Sequence, residues 1–162
     1  MNLNIIYDAN AFIDSPIGVI NLFARDNKLV GLTMGGEGQA PAGKASVLER
    51  AGKQLTEYFA GKRKTFDIEV ELDGTAFQKA VWGEIDKIGF GETVTYADIA
   101  RAIGKPLASR AVGGAVGSNP IALIVPCHRV LGASGKITGY SGGDGLPTKR
   151  KLLALENIAS KE

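Results

Sequence analysis

The first third of the chain sets short apolar runs between turn residues, a β pattern. Ala11-Phe12-Ile13-Asp14 precedes Ser15-Pro16-Ile17-Gly18, Val19 to Ala24 predicts a strand, and Leu29 to Met34 returns from the Asp26-Asn27-Lys28 turn. Gly35 to Gly43 is rich in Gly and Pro and reads as a loop. From Ala45 to Phe59 the period becomes helical: Val47, Leu48, Ala51, Leu55, Tyr58 and Phe59 recur three and four residues apart, and Gly61 ends the run. Phe66 to Leu72 alternates apolar and acidic residues and predicts a half-buried strand. Asp73-Gly74 then breaks the chain, so the boundary is set there, giving units 1–73 and 74–162.

The second unit is mostly helical. Thr75 is a candidate N-cap for a helix whose face carries Phe77, Ala80, Val81, Ile85 and Ile88, with Trp82 beside it and Gly89-Phe90-Gly91 as the stop. Thr95 caps a short helix through Tyr96, Ile99, Ala100 and Ile103. Gly104-Lys105-Pro106 turns into a second short helix, Leu107 to Ser118. Two short helices about a Gly-containing turn are the helix-turn-helix pattern. A Gly-rich stretch, Gly132 to Gly145, leads to a last helix from Thr148 to Ile158.

Composition narrows the picture. The chain has 162 residues, 44% hydrophobic and 22% charged, with net charge +2. That is a globular balance, and any surface for nucleic acid must come from local clustering. One cysteine and one histidine exclude an internal disulfide and the usual Cys-rich zinc site. A lone free thiol fits a reducing, cytoplasmic compartment. Met1 to Ile5 shows no leader pattern, and no apolar run nears the ~20 residues that cross a membrane.

The only thiol and the only imidazole are adjacent. Ile121-Ala122-Leu123-Ile124-Val125 leads into Pro126-Cys127-His128-Arg129-Val130. A thiol becomes a strong nucleophile on deprotonation, and a neighbouring base or cation promotes this. A lone cysteine after an apolar run is also the pattern of a buried small hydrophobe. Adjacent residues on a strand point to opposite faces, so the pair works together only if the backbone turns sharply at Pro126.

Pro126-Cys127-His128-Arg129-Val130 resembles the active-site signature of the O6-alkylguanine-DNA alkyltransferases. The resemblance extends to Thr95-Tyr96, Ser109-Arg110-Ala111-Val112-Gly113-Gly114-Ala115, Ser118-Asn119-Pro120, Gly139-Tyr140-Ser141-Gly142-Gly143 and Lys151-Leu152-Leu153-Ala154-Leu155-Glu156. Together these motifs span roughly Phe77 to Glu156, whereas the first third is similar only through Asp14-Ser15-Pro16-Ile17-Gly18 and its strand pattern.

The resemblance implies an α/β N-terminal domain, RNase H-like, with a small antiparallel sheet plus helix. A mainly α C-terminal domain with a winged helix-turn-helix follows. It implies direct-reversal repair, in which a methyl or larger alkyl group moves irreversibly from guanine O6, with thymine O4 left open, to Cys127. His128 would take the thiol proton through a water, Glu156 would orient the imidazole, and Tyr96 would serve the leaving base at N3. Val130, Tyr140, Ser141 and Lys149 would contact the flipped base, while Asn119 would support the active-site turn. Arg110 would fill the gap in the stack, with Ser109, Ala111, Gly113, Gly114 and Arg129 at the DNA. Arg129 alternatively braces the turn. Lys105 and Arg101 are further phosphate candidates.

The implied partner is double-stranded DNA carrying O6-alkylguanine, bound through the minor groove by a monomer, with cooperative loading left open. No cofactor and no metal are called for. A non-catalytic lesion sensor or a helix-turn-helix regulator is the alternative. The first would lack Cys127, and the second would leave the Cys-His pair unexplained.

Overall fold

The computed structural model describes residues 5–161. Met1 to Asn4, most of the stretch read above for a leader, lie outside the described residues.

The chain opens with an antiparallel sheet in the order β1 (Ala9–Ser15), β2 (Gly18–Arg25), β3 (Lys28–Met34). Two tight hairpins set its register. At the first, Gly18 takes a φ of 98°, and the Ser15 hydroxyl donates to the Gly18 carbonyl. At the second, Asp26 and Asn27 both adopt positive φ, the geometry a two-residue hairpin needs and Asn and Asp tolerate. Asn27 also serves the helix α1 (Ser46–Phe59). No side chain of α1 caps it, and the Asn27 carboxamide oxygen accepts from Val47 N at 2.9 Å.

Helix α1 lays Val47, Leu48, Ala51, Leu55 and Tyr58 inward, on one face of the sheet. The central strand β2 is buried through Ile20 to Ala24 rather than alternating. The Gly-rich loop is the cause, because it crosses the other face. Asn21 is clamped there by its hydrogen bonds to Glu37 O and Gln39 N, and Asn10 binds Ala40 O.

Both edges of the sheet are partly covered. Asn10 and Ala42 exchange backbone bonds beside β1, while β3 pairs with Glu69 and Glu71 at Leu29 and with Pro120 at Leu32. The expected strand at Phe66 to Leu72 is therefore a correction. The segment is extended with its acidic side chains outward, but it meets β3 only at the Leu29–Val70 bridge. Pro120 takes the same edge at Leu32.

Helix α2 (Ala76–Asp86) starts on a capping box, with Thr75 and Gln78 each satisfying the other's backbone. Val81, Trp82 and Ile85 face the core, whereas Ala80 is exposed. Trp82 Nε1 donates to Ala115 O at 2.8 Å and locks α2 against α4. The helix-turn-helix is α3 (Tyr96–Ala102), capped by the Thr95–Asp98 box, and α4 (Ser109–Gly117). Gly104, at φ 75°, makes the turn between them. Strand β4 (Val94–Thr95) pairs in parallel with β5 (Val130–Leu131), and α5 (Leu146–Leu155) closes the chain. Helix α5 begins two residues before its expected start, because Pro147 fits the first helical turn, and it ends at Leu155.

Candidate active site

Asn119 organises the entry to the site. Its amide donates to Val125 O at 2.8 Å and its carbonyl accepts from Ile121 N at 3.0 Å, so it holds both ends of the apolar loop. Within that loop Leu123 has a φ of 73°, an unusual value for a branched residue, which lets the chain double back. After Pro126, residues Cys127–Arg129 form one turn of 3₁₀ helix rather than continuing extended. That turn brings the thiol and the imidazole out of strand alternation.

Behind the turn sits a buried cluster. The His128 Nε2 lies 2.6 Å from Glu156 Oε2, and both side chains are fully buried. Tyr58 donates its hydroxyl to the same oxygen at 2.6 Å. Arg129 donates Nε to Oε1 at 2.8 Å, Nη2 to Oε2 at 3.2 Å and Nη1 to Ile88 O at 2.6 Å. Gly91 N adds a bond to Oε1 at 3.1 Å.

Burial alone would raise the Glu156 pKa, but hydrogen bonds from His128, Arg129 and Tyr58 outweigh it and hold it at about 2. An ionised carboxylate only accepts, so Nε2 of His128 carries its proton. Burial pushes the imidazole pKa below its ordinary value against the pull of Glu156, so the ring is neutral. Its Nδ1 has no partner among the described residues and keeps a free lone pair. Burial raises the Cys127 thiol, while Asn119, the Lys149 charge and Tyr140 pull it down less strongly. The thiol therefore rests protonated and needs a base at the moment of reaction.

Cys127 is 6% exposed, yet its small face is the floor of a cleft of roughly 350 Å³. Tyr96, Gly113 and Val116 form one wall, with Gly139, Tyr140 and Ser141 opposite. The Tyr96 hydroxyl accepts from Thr138 Oγ1 at 3.1 Å, and Ser141 Oγ donates to Gly117 O at 3.1 Å. A smaller cavity of about 170 Å³ touches Cys127 from behind and reaches Thr33 and Met34 of β3.

Lys149 is 1% exposed and donates to Val130 O at 2.7 Å and Thr138 O at 2.9 Å. Burial lowers its pKa to about 8. It ties β5 to the loop that carries Tyr140. Val130 is itself buried, and its carbonyl already accepts from Lys149.

The mouth of the cleft faces α4. Arg110 stands exposed on its first turn, in a surface groove with Thr95, Tyr96, Ala97, Ser109, Gly113 and Ala133. A Cβ on Gly113 would make ordinary contact with Tyr96, and one on Gly114 would meet nothing within 4 Å. The protein's own packing therefore demands neither glycine. Ala111 is exposed on the same helix.

The family model for the 6-O-methylguanine DNA methyltransferase DNA binding domain matches residues 76–158, and that for its ribonuclease-like domain matches residues 9–72. The chain belongs to the 6-O-methylguanine DNA methyltransferase family.

A methylated-DNA–protein-cysteine methyltransferase of Mycolicibacterium paratuberculosis is 49% identical over 149 residues, covering 89% of each chain. One from Methanosarcina barkeri is 46% identical over 150 residues, 89% of this chain and 94% of that one. The crystal structure of Mycobacterium tuberculosis OGT in complex with DNA superposes with a TM-score of 0.82 at 48% identity, covering 91% of each chain.

Within this family frame, the structure brings Cys127, Tyr96, Tyr140 and Ser141 to one cleft, with His128, Glu156, Asn119 and Lys149 around it. Arg129 is the exception. It is 5% exposed and committed to Glu156 and Ile88, so it braces the turn and does not reach DNA. A charge at 129 looked like a phosphate ligand because the sequence hides its distant counter-ion. Arg101 pairs with Asp98, and Lys105 lies over the Phe77 ring, both near the surface. Tyr58 and Gly91 were missed as site residues. Tyr58 carries the helical spacing of an ordinary core aromatic, and no local signal marks its hydroxyl.

Proposed function

We propose that the chain repairs alkylated DNA by moving the alkyl group of O6-alkylguanine onto Cys127, once per molecule. A single observation carries this reading. The lone thiol floors a cleft that opens onto the Arg110 helix, and a neutral, carboxylate-anchored imidazole sits behind it.

The steps follow from the groups present. The lesion base leaves the duplex and enters the cleft, since its O6 substituent is out of reach inside the stack. The thiol proton passes through a water to His128 Nδ1, whose lone pair is uncommitted. The thiolate pair then attacks the alkyl carbon as the carbon–O6 bond breaks, and its electrons go to the guanine. Tyr96 donates its proton to N3 of the departing base. The Thr138 bond to its oxygen leaves that proton free. Ser141 stands on the opposite wall to serve O6, and Tyr140 flanks the base. Lys149 holds Val130 and Thr138 in place around it. The product is a thioether that water does not cleave, so the protein is consumed.

The small-residue face of α4 supports entry into the minor groove, where close backbone approach is required. Arg110, stacked through its flat guanidinium, would occupy the vacated gap. Action as a monomer belongs to the same reading. The division into units 1–73 and 74–162 is supported by the two family models, and a free thiol suits a reducing compartment.

The test is the mass of the intact protein after incubation with an oligonucleotide holding O6-methylguanine. A stoichiometric single methyl on Cys127, absent in Cys127→Ala, is expected. Binding without mass change would instead identify a sensor or a regulator.

A further inference from the structure

We propose that Tyr58, on α1 of the first unit, is a positioning residue of the transfer reaction, its hydroxyl setting how much negative charge Glu156 presents to His128. The inference rests on the alkyl-transfer reading.

Three donors crowd one oxygen. Glu156 Oε2 accepts from Tyr58 Oη at 2.6 Å, from His128 Nε2 at 2.6 Å and from Arg129 Nη2 at 3.2 Å. Each donor draws charge from the oxygen and weakens the hold of the others. Tyr58 and His128 compete most directly, being equally short. All four side chains are nearly sealed from water, with Tyr58 only 1% exposed, so little screening dilutes the competition.

The hydroxyl is not needed to hold the carboxylate. Glu156 Oε1 is fixed independently by Arg129 Nε and Gly91 N. Nor does the hydroxyl hold the ring. Tyr58 packs against Phe59, Phe66 and Phe90 at centroid distances of 5.2 to 6.2 Å, and the Arg129 guanidinium lies over Phe90. What remains for the hydroxyl is charge. Burial and the adjacent carboxylate raise its pKa, so it stays a donor throughout the working range.

The groups that face His128 are Glu156, Arg129 and Lys149, with Cys127 next in the chain. Arg129 and Lys149 oppose an imidazolium and Glu156 favours it. Tyr58 trims the favourable contribution. Its loss makes the ring more basic, so the doubly protonated Cys127–His128 pair persists to higher pH. Through this bond the first unit reaches into the chemistry of the second, 98 residues away in sequence.

The chain has one histidine, so its imidazole signals are unambiguous in a nitrogen-15 spectrum. In Tyr58→Phe the Nε2–H proton of His128 is expected to move downfield. The acid limb of the pH–rate profile for single-turnover transfer should move up by about one unit, the scale of one hydrogen bond to a charged group. Placing 3-fluorotyrosine at position 58, a stronger donor, should move both readings the opposite way. A lower melting temperature with both readings unchanged would reduce Tyr58 to a packing residue and overturn the proposal, as would shifts of the same sign in the two variants. The spectrum needs neither DNA nor transfer. Unmoved signals in a protein that still accepts methyl sink this inference alone, whereas failure to accept methyl sinks the parent reading.

Discussion

The Glu156 cluster lies behind Cys127 at the floor of the cleft, α4 lines the cleft's wall, and the two are built in opposite ways. In the cluster every carboxylate oxygen is saturated, by Tyr58, Gly91, His128 and Arg129. On α4, Arg110 is exposed, Gly114 faces open space and Gly113 has room for a Cβ. One side is complete on its own, and under the proposed reading the other is finished by DNA. Chemistry on the buried side needs geometry and charge fixed in advance, because reorganisation during reaction raises the barrier. Recognition on the open side, as proposed, would need an unfilled surface for DNA backbone to come close.

The contrast breaks most severely at Glu156. Glu156→Gln keeps the shape but leaves Arg129 buried without a counter-charge, which costs about 3–5 kcal/mol in denaturant unfolding. Methyl transfer should fall with it, as His128 loses its anchor. Acid should reproduce part of this loss in the native protein. The folded pKa of Glu156, about 2, lies below its ordinary 4.5. Its contribution is therefore complete above about 4.5 and disappears as pH falls toward 2. Unfolding midpoints measured across that window should drop for the native chain, and less so for Glu156→Gln.

Changes on α4 should cost no stability and affect DNA. Arg110→Ala is expected to slow transfer from duplex by about tenfold or more, the scale of a lost stacking contact beside an unstacked base. Reaction with a free benzylated guanine base should be essentially unchanged, and equal losses on both substrates would remove Arg110 from the flipping step. The smallest effect, and the sharpest, belongs to Gly114→Ala. The free protein should gain up to about 1 kcal/mol, because alanine is the better helix former and nothing obstructs its methyl. Affinity for duplex DNA should nevertheless fall in a filter-binding or anisotropy titration. A more stable variant with unchanged affinity would mean that nothing approaches this face.

Local signals made much of this readable from sequence. Thr75 and Thr95 mark helix starts as N-caps, each completed in the structure by a capping box, and Asp26-Asn27 marks a hairpin in two residues. The Cys127 neighbourhood was legible through its resemblance to a family signature, because an adjacent thiol and imidazole after an apolar run also fit a buried small hydrophobe. What stayed hidden depends on partners far along the chain. Phe66 to Leu72 has the alternation of a strand, but alternation cannot say whether a neighbouring edge is free. Arg129 and Tyr58 look like a surface charge and a core aromatic until Glu156 is placed between them. Ala80 fits the apolar face of α2 by period, yet Trp82 takes the inward position that locks onto α4.

The shielding of the three-stranded sheet has a consequence for the life of the molecule. A repair agent spent after one encounter has to persist, idle and intact, until a lesion appears. Bare rims would let idle copies template one another into fibres. Here Ala42 takes the Asn10 position of one rim, and Glu69, Glu71 and Pro120 take Leu29 and Leu32 on the other, which shortens the run of backbone open to a second copy. Resistance to self-association would then depend on the sheet's borders as well as its core.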